Sequence, residues 1–393
     1  MRILYLQTFP FWGSGSGTYA RHLASVVGRT HKVAILAPDD RPIDKAKLYT
    51  VRLPFPVAFT GHPEWPDCKF YTQLTNIEVA LIYKTFLDAT IAAVEDFHPD
   101  IIHVHHAFPL TWAAAFVKDM YGINFITTIH GSELPTIEKD RRYGRATYYA
   151  MYRTSRIVPN SGYTRDWFLR VFHGYFHEKC RVIPGGVDIN KFVYSESGAS
   201  QVDRELNLHG KPVVVFAGKI TKYKGVEFFI NAAKRIHGEV VILGDGPELP
   251  KLKLKAQSLG LTNVHWVGHL GAGVKKLVPY YSRADVFIAP SVWDEPLGLV
   301  ILEAMACNTP VVVTRKGGIP LAVKEGVNGL FIRARNSEEI VEKVNKLLDN
   351  ESLRLKMGQN ARRIAEEKFS WEIIGRKFEL LYERYRKKNG TLK

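Results

Sequence analysis

The chain has 393 residues, 46% of them hydrophobic and 24% charged, and its formal net charge is +15. This composition excludes a disordered or fibrous protein, and the length allows two domains of roughly 150–200 residues each. Three widely spaced cysteines indicate neither a disulfide framework nor a thiolate zinc site, and the positive charge favours an anionic partner: a small substrate, a membrane surface or nucleic acid.

In the first half, Val/Ile-rich runs alternate with longer helical patterns, which predicts a parallel sheet with crossover helices. Strands are predicted at Arg2–Gln7, His31–Ala37, Ile101–Val104, Asn124–Thr128, Arg156–Pro159 and Arg181–Pro184. Helices are predicted most clearly at Thr18–Val27, Asn76–Asp96 and Tyr163–Phe172. The first strand is too short an apolar run for a signal peptide, and no stretch approaches the ~20 apolar residues of a membrane span, so we expect a cytoplasmic protein.

Three features of this half are candidates for function. Gly15 and Gly17 precede the first helix, where their amides are placed to bind phosphate, although any strand–helix turn favours glycine. His130 follows a strand, where sheets of this kind bind ligands, although a histidine there is more often structural. The irregular segment Leu53–Asn76 is rich in proline and aromatic residues, and a loop of that length is usually functional.

Basic and aromatic side chains alternate between positions 139 and 170. The basic residues are Lys139, Arg141, Arg142, Arg145, Arg153, Arg156, Arg165 and Arg170, and the tail adds Arg384, Arg386, Lys387 and Lys388. The interleaved aromatic residues are Tyr143, Tyr148, Tyr149, Tyr152, Tyr163 and Trp167. No nucleic-acid-binding motif accompanies them, so contact with a membrane or an anionic acceptor is favoured over nucleic acid, with a solvated helix face as the alternative.

A polar, Ser-rich and non-periodic stretch near 191–210 predicts the join between two doubly wound, Rossmann-like domains, residues 1–192 and 193–370. Strands are predicted in the second half at Pro212–Ala217, Glu239–Leu243, Asn263–Val267, Asp285–Ala289 and Pro310–Val313. Helices are predicted at Gly225–Arg235, Val274–Ser282, Glu338–Leu348, Glu351–Glu367 and, after a break, Trp371–Lys387.

Positively charged side chains, and not a bound metal ion, are predicted to stabilise an anionic leaving group. No Asp-x-Asp occurs in the chain. His103, His105 and His106 could suggest a metal site, but only His103 and His105 share one face of a strand and no third ligand is evident, so we expect no metal site. Lys219 and Lys224 flank the loop after a predicted strand and are candidates to hold an anionic leaving group. The alternative is that they are two surface lysines on a turn.

The most informative stretch is Glu295–Glu303, in which a glycine opens a predicted helix between two carboxylates. A strand, a glycine-bearing loop and a helix start together offer backbone N–H groups and the helix dipole to a phosphate. Carboxylates at both ends suit a ligand with hydroxyl groups on either side of its phosphates, which describes a nucleotide-sugar. An amphipathic helix with solvated glutamates is the alternative.

Seven motifs occur in an order that is specific when they are taken together. They are Gly13–Gly17, Asp100–His105, His130–Glu133, Ile183–Asp188, Gly218–Lys219 with Lys224–Gly225, Gly244–Pro247, and EPLGLVILEAMA at 295–306. This set resembles retaining glycosyltransferases of family 4, which are two-domain enzymes of the GT-B architecture. The resemblance implies an acceptor-binding first domain, a donor-binding second domain facing it across a cleft, and a terminal helix (371–393) that crosses back onto the first domain.

The same resemblance implies roles for individual residues. Glu295 would hydrogen-bond the donor sugar, Glu303 would bind the ribose diol, and His130 would lie beside the anomeric carbon. Lys219 stands where the family commonly has arginine, so the charge is kept but the geometry differs. The other expected donor-binding residues are Gly15, Gly17, Gly244, Gly246, Leu270, Gly298, Leu299 and Val300.

We therefore expect a retaining, metal-independent glycosyltransferase that needs no cofactor and uses a nucleotide-diphosphate sugar, with UDP-sugar preferred to GDP-mannose. The acceptor is expected to be an anionic small molecule, a sugar phosphate or a lipid-linked sugar, with peripheral membrane contact and no nucleic acid. The alternatives are another GT-B enzyme, such as an epimerase or phosphorylase, and a non-catalytic protein that binds anionic surfaces.

Overall fold

Two separate parallel sheets, one built from each half of the chain, organise the computed structural model, which describes residues 1–62, 64–270 and 274–386. The side chain of residue 274 lies outside the description. Unit 1 comprises Met1–Gly185 together with the chain from Trp371 onward, and unit 2 comprises Gly186–Ser370. The join predicted between residues 192 and 193 lies a few residues beyond this division.

Unit 1 alternates strands and helices along most of its length. Its elements are β1 (Arg2–Leu6), α1 (Gly15–Val27), β2 (Lys32–Ala37), β3 (Ala46–Thr50), β4 (Val57–Ala58), β5 (Lys69–Phe70), α2 (Asn76–Phe97), β6 (Ile101–His105), α3 (Leu110–Tyr121), β7 (Phe125–Ile129), α4 (Leu134–Lys139), α5 (Arg142–Arg153), β8 (Arg156–Pro159) and α6 (Gly162–Val171). The main sheet is parallel, with the order β3-β2-β1-β6-β7-β8. Apolar clusters cover both of its faces.

The last helix of the described chain also belongs to unit 1. This helix, α14, spans Trp371–Tyr385. Its buried face carries Trp371, Ile374, Phe378 and Tyr382, which join the cluster formed by α1 and one face of the sheet. Lys387 and Lys388, which the sequence placed in the basic tail, lie outside the described residues.

Unit 2 repeats the same alternation. Its elements are α7 (Glu196–Leu206), β9 (Val213–Ala217), α8 (Val226–Ala233), β10 (Glu239–Leu243), α9 (Leu249–Ser258), β11 (Val264–Gly268), α10 (Val274–Arg283), β12 (Val286–Ala289), α11 (Leu299–Ala306), β13 (Val311–Thr314), β14 (Gly329–Ile332), α12 (Ser337–Leu348) and α13 (Glu351–Phe369). The parallel sheet has the order β11-β10-β9-β12-β13-β14 and is buried between two apolar clusters. The predicted α/β class with two doubly wound sheets is confirmed.

Several predicted elements differ from the structure. Arg181–Pro184 is not a strand, because Pro159 and Pro184 have no N–H group, and only two backbone bonds join this segment to β8. The stretch near 191–210, predicted to be a non-periodic join, contains helix α7, which Ser195 caps and which packs on α10. The edge strands β3 and β14 were not predicted.

Each sheet has one point where the strand order reverses, between β1 and β6 in unit 1 and between β9 and β12 in unit 2. In open parallel sheets, ligands bind at the carboxyl ends of the strands on either side of this switch point. The loops 7–14 and 106–109 leave these strands in unit 1, and the loops 218–225 and 290–298 leave them in unit 2. Most of the predicted site residues lie on or beside these four loops.

Candidate functional site

Two residues predicted from separate motifs are in contact at the switch point of unit 2. The Nζ atom of Lys224, in the loop after β9, lies 2.5 Å from Oε1 of Glu295, in the loop after β12. The hydroxyl group of Ser291 donates a second hydrogen bond to the same oxygen, at 2.9 Å. The ammonium group is thus fixed beside the helix that begins a few residues later.

The backbone around Glu295 is held by the loop that follows β13. The Glu295 carbonyl accepts a hydrogen bond from the Gly318 amide at 2.6 Å, and the Asp294 carboxylate accepts one from the Gly317 amide at 3.0 Å. Thr314 adds a bond from its hydroxyl group to the Ser291 carbonyl at 2.8 Å. These bonds fix the backbone at Glu295 and so restrict where its side chain can lie.

Helix α11 begins with an N-terminus suited to binding an anion. Gly298 precedes it with a φ of 78°, a left-handed conformation that favours glycine, and no side chain caps the helix. The first-turn amides, which include those of Leu299 and Val300, have no acceptor within the helix. The residues at this helix start are half-buried: Gly298, Leu299 and Val300. The dipoles of their N–H groups are therefore accessible near Lys224 and Glu295.

Glu303 lies one turn further along α11. Its Oε2 atom accepts a hydrogen bond of 2.8 Å from the hydroxyl group of the buried Tyr281 on α10. The residue as a whole is half-buried, but its carboxyl group is enclosed, and this burial raises the pKa of Glu303 to about 7 while the bond from Tyr281 opposes the rise. Near neutral pH, Glu303 can therefore exchange a proton as its surroundings change.

The positions of the other predicted residues of unit 2 do not by themselves indicate a role in donor binding. Lys219 is exposed and makes no ion pair with any residue that the structure describes. A Cβ atom on Gly244 or Gly246 would lie 1.9 Å from the Gly218 carbonyl oxygen or 2.3 Å from that of Ile220. Glycine is therefore required there by packing between the loops after β9 and β10, and a part in nucleotide binding stays a prediction.

Leu270 follows β11 by two residues and is half-buried against the apolar cluster on one face of the unit 2 sheet. Its predicted position beside the base of a nucleotide is not tested by this packing. The next three residues, 271–273, are outside the described chain.

In unit 1, Gly15 and Gly17 lie in the first turn of α1, where Ser14 is the N-cap. The Gly17 amide donates to the Ser14 hydroxyl group at 3.1 Å, so it already has a partner within the turn. Gly15 is exposed at the start of the helix. Of the two predicted phosphate-binding amides, that of Gly15 is the better placed.

His130 lies at the carboxyl end of β7 and is buried. Its Nε2 atom is 3.0 Å from Nδ1 of His105, and burial lowers the pKa of His130 to about 3. The amides of His130 and Gly131 donate to the buried carboxylate of Glu133, at 3.1 and 2.9 Å, which fixes the turn. His130 is therefore a neutral imidazole in a rigid position.

The neighbouring histidines do not form a metal site in the described chain. His103 uses both ring nitrogens, one with the Tyr382 hydroxyl group at 2.8 Å and the other with that of Thr128 at 2.7 Å. No cluster of three or more His, Cys, Asp or Glu side chains suited to a metal ion occurs within residues 1–62, 64–270 and 274–386. The predicted absence of a metal stays a prediction.

The basic and aromatic region at 139–170 is partly neutralised within unit 1. Arg142 forms an ion pair with Asp140, Arg153 with Asp119 and Arg165 with Asp166, while Arg156 donates to a backbone carbonyl. Tyr148, Tyr149 and Tyr152 on α5 are exposed. We find no helix in the described parts of the chain with the length and apolar run needed to cross a bilayer.

Sequence reasoning missed the residues that orient the predicted ones. Tyr281 contacts Glu303 from another helix, and its only sequence signal was its place in an amphipathic pattern. Ser291 lies four positions before Glu295, just after a predicted strand, and this spacing was its only sequence signal. Gly317 and Gly318 carried a signal as a glycine pair a few residues after a strand.

Comparison with known proteins identifies two family models that together match most of the chain. Residues 13–191 match the model described as Glycosyltransferase Family 4, and residues 200–364 match the model described as Glycosyl transferases group 1. The two matches meet close to the division between units 1 and 2.

Similar proteins are found by sequence and by structure. An uncharacterized glycosyltransferase of Methanocaldococcus jannaschii is 30% identical over 274 residues, which are 70% of this chain and 72% of the relative. Alpha-maltose-1-phosphate synthase of Mycolicibacterium smegmatis is 29% identical over 353 residues, 84% of this chain and 87% of the relative. The crystal structure of Anabaena HepE in complex with UDP superposes with a TM-score of 0.78 at 20% identity, covering 98% of this chain and 100% of that one.

Proposed function

The chain belongs to glycosyltransferase family 4, and on that premise we propose that it transfers a hexose from a nucleotide-diphosphate sugar to an acceptor hydroxyl group with retention of anomeric configuration. We propose further that fixed cations and backbone dipoles, without a metal ion, stabilise the departing diphosphate. UDP-sugar is the preferred donor, and GDP-mannose is the second choice.

The observation that carries this proposal is the grouping of Lys224, Glu295 and the uncapped start of α11 at the switch point of unit 2. When the donor bond breaks, negative charge grows on the diphosphate, and a positioned ammonium group and helix amides stabilise it. Both described hydrogen bonds to the Glu295 carboxylate end on Oε1. This arrangement supports a role for Oε2 in accepting a hydrogen bond from a hydroxyl group of the donor sugar.

Retention requires the acceptor hydroxyl group to approach on the face from which the diphosphate leaves. The departing diphosphate can then accept the proton of that hydroxyl group, so neither a protein nucleophile nor a strong general base is required. The low pKa of His130, about 3, supports this account, because a buried neutral imidazole is a weak base but a good hydrogen-bond partner for a sugar hydroxyl group.

For the acceptor, we propose a sugar that carries an anionic group. The name of the Mycolicibacterium relative, alpha-maltose-1-phosphate synthase, describes a phosphorylated sugar. We also propose that α5, where three tyrosines are exposed, contacts an anionic membrane surface. Sedimentation with anionic and neutral vesicles tests this contact, and equal binding of the Tyr149→Ser/Tyr152→Ser double variant would count against it.

The test of function begins with thermal shifts measured with UDP-glucose, UDP-galactose, UDP-N-acetylglucosamine and GDP-mannose. Stabilising donors are then incubated with candidate acceptors, products are identified by mass spectrometry, and the anomeric configuration is read by NMR. Lys224→Ala should lose the product, while Lys222→Ala, on the same turn, should keep it. Inversion at the anomeric carbon would exclude the retaining mechanism.

The two alternatives predict different results in the same assays. An epimerase would convert the sugar of the donor without any acceptor. A non-catalytic protein would bind anionic vesicles or RNA equally well after Lys224→Ala and would release no nucleoside diphosphate.

A further inference from the structure

Two arginines of unit 1 lie against one tryptophan in a loop that leaves the switch point. Trp12 lies in the loop after β1, Arg21 in the second turn of α1, and Arg41 in the loop after β2. The guanidinium carbon of Arg21 lies 4.9 Å from the centroid of the Trp12 ring system, and that of Arg41 lies 4.3 Å from it. Side chains on a helix lean toward its N-terminus, which directs Arg21 to the edge of the sheet where ligands bind.

The two guanidinium groups differ in their partners. Arg41 donates to both oxygens of the buried Asp39 carboxylate, at 2.9 Å each, and lies 3.0 Å from the Glu64 carboxylate. Within the described residues, no carboxylate lies at ion-pairing distance from Arg21. Its Nε atom is buried and has no hydrogen-bond partner among them.

Arg21 is half-buried, so its charge is only partly removed from water, but no carboxylate in the described fold compensates for that part. Removing a charge from water is unfavourable unless an opposite charge accompanies it. Burial lowers the pKa of Arg21, and the like charge of Arg41 lowers it further. The cation–π contact with Trp12 offsets only part of this cost. An anion bound from outside would supply the missing partner.

Buried polar groups with unused hydrogen-bonding capacity lie on the same edge of the sheet. Gln7, at the start of the loop that carries Trp12, is fully buried, and its amide oxygen and nitrogen have no partner among the described residues. His106, directly after the adjacent strand β6, is buried in the same way with both ring nitrogens unpaired. Its ring lies 5.0 Å from that of Phe9, in the loop after β1, and 4.8 Å from that of His130. Both side chains are enclosed, so in this structure their unpaired atoms do not reach a ligand at the surface.

We propose that Arg21, supported by Trp12, binds the oxyanion of an acidic acceptor sugar. The inference deepens the proposed function, on which it rests, by assigning a specificity-determining residue to the acceptor. The oxyanion is a phosphate or a carboxylate, both of which match the planar fork of a guanidinium group.

The test is a calorimetric titration of the whole protein saturated with UDP, so that the diphosphate site of unit 2 is already filled. Inorganic phosphate, glucose 1-phosphate, glucuronate and glucose are added in turn to the wild type and to Arg21→Gln. We expect Arg21→Gln to weaken the binding of the anions by about tenfold or more, because it removes a charge-assisted hydrogen bond. Arg21→Lys should retain part of the affinity. Comparison of glucose 1-phosphate with glucuronate distinguishes the two oxyanions.

The matched control is Arg376→Gln, which removes an exposed arginine of α14 and should leave anion binding unchanged. The melting temperature without ligand separates recognition from structure, since Arg21→Gln should melt at the wild-type temperature or above it. Equal anion binding by the wild type and Arg21→Gln, including no binding to either, would overturn the inference. If UDP does not bind the wild type, the proposed function fails, while the phosphate titration still reports on Arg21.

Discussion

In the proposed reaction, Lys224 is the residue on which stabilisation of the leaving diphosphate depends most directly. Replacing it with alanine removes the ammonium group held 2.5 Å from Glu295. We expect kcat/KM for transfer to fall by roughly 10²–10³-fold, because removing one preorganised group that stabilises a developing oxyanion has effects of this size. The measurement is steady-state release of nucleoside diphosphate, with the melting temperature recorded in parallel.

Lys222 provides the control for this experiment, since it is an exposed lysine two positions earlier on the same turn. Lys222→Ala should leave kcat/KM within about twofold of the wild type. Transfer that survives in Lys224→Ala but disappears in Lys222→Ala would contradict the assignment.

The binding of donor should depend on pH through Glu303. The pKa of its carboxyl group in the free protein is about 7, and a ribose diol donates hydrogen bonds best to the ionised form. Below pH 7 the carboxyl group is protonated and must release its proton on binding, so the affinity for UDP-glucose should fall by about tenfold per unit well below pH 7. Calorimetry in buffers of different ionisation enthalpy measures the released proton.

Glu303→Gln should abolish both the proton release and the pH dependence, because an amide does not titrate in this range. An affinity that rises as the pH is lowered would show that Glu303 binds the ligand as a protonated donor and would reverse the assignment.

At the residue scale, the sequence indicated the members of the candidate site better than their contacts. Lys224 and Glu295 each follow a strand, and residues after neighbouring parallel strands meet at one edge of a sheet. Their direct contact across 71 positions was not predicted, because it depends on which two strands are neighbours. Tyr281 was missed for a related reason: it reaches Glu303 from a different helix.

At the scale of elements, the packing of α14 on α1 makes a separate prediction. A Cβ atom on Gly375 would lie 2.8 Å from Cγ1 of Val26, which is closer than real side-chain atoms approach. Gly375→Leu should therefore lower the free energy of unfolding by about 1–3 kcal/mol through overpacking. Urea denaturation followed by circular dichroism measures the change.

Gly144→Ala in α5 is the control, because a Cβ atom there meets nothing within 4 Å. It should stabilise the protein by about 0.4–1 kcal/mol, since alanine favours a helix more than glycine does. A loss of stability in Gly144→Ala as large as that in Gly375→Leu would show that the effect is not specific to the contact with Val26.

The longest helices, α2, α13 and α14, were predicted, whereas α3, α5, α7 and the edge strand β3 were not. Helix α7 buries only Gly198, Ala199 and Val202, so its apolar pattern is too weak to be seen without α10 beside it. Strand β3 is a partly exposed edge strand with a polar sequence, which resembles a loop until its pairing with β2 is known.

At the scale of the whole molecule, the proposed chemistry predicts that a chelator has little effect. With Lys224 and the helix amides in place of a metal ion, transfer should proceed at the same rate after dialysis against EDTA. The rate of product formation with and without EDTA, followed by addition of Mg²⁺ or Mn²⁺, measures this. Activity that depends strictly on added metal would contradict the fixed-cation account.

The two parallel sheets could be predicted from the sequence because buried parallel strands are continuous Val/Ile runs and their crossover helices are long. The strand orders were not predicted, and they determine where the switch points lie. Arg21 and Trp12 were not identified from the sequence. Only the fold shows that no carboxylate of the described residues lies at ion-pairing distance from Arg21.

The placement of α14 bears on how the polypeptide is made. Unit 2 is contiguous from Gly186 to Ser370, whereas unit 1 is completed only by residues translated after all of unit 2. As the nascent chain leaves the ribosome, unit 2 can therefore close while unit 1 still exposes the apolar surface that awaits Trp371 and Phe378. Chaperones that protect the emerging polypeptide would be needed mainly for unit 1.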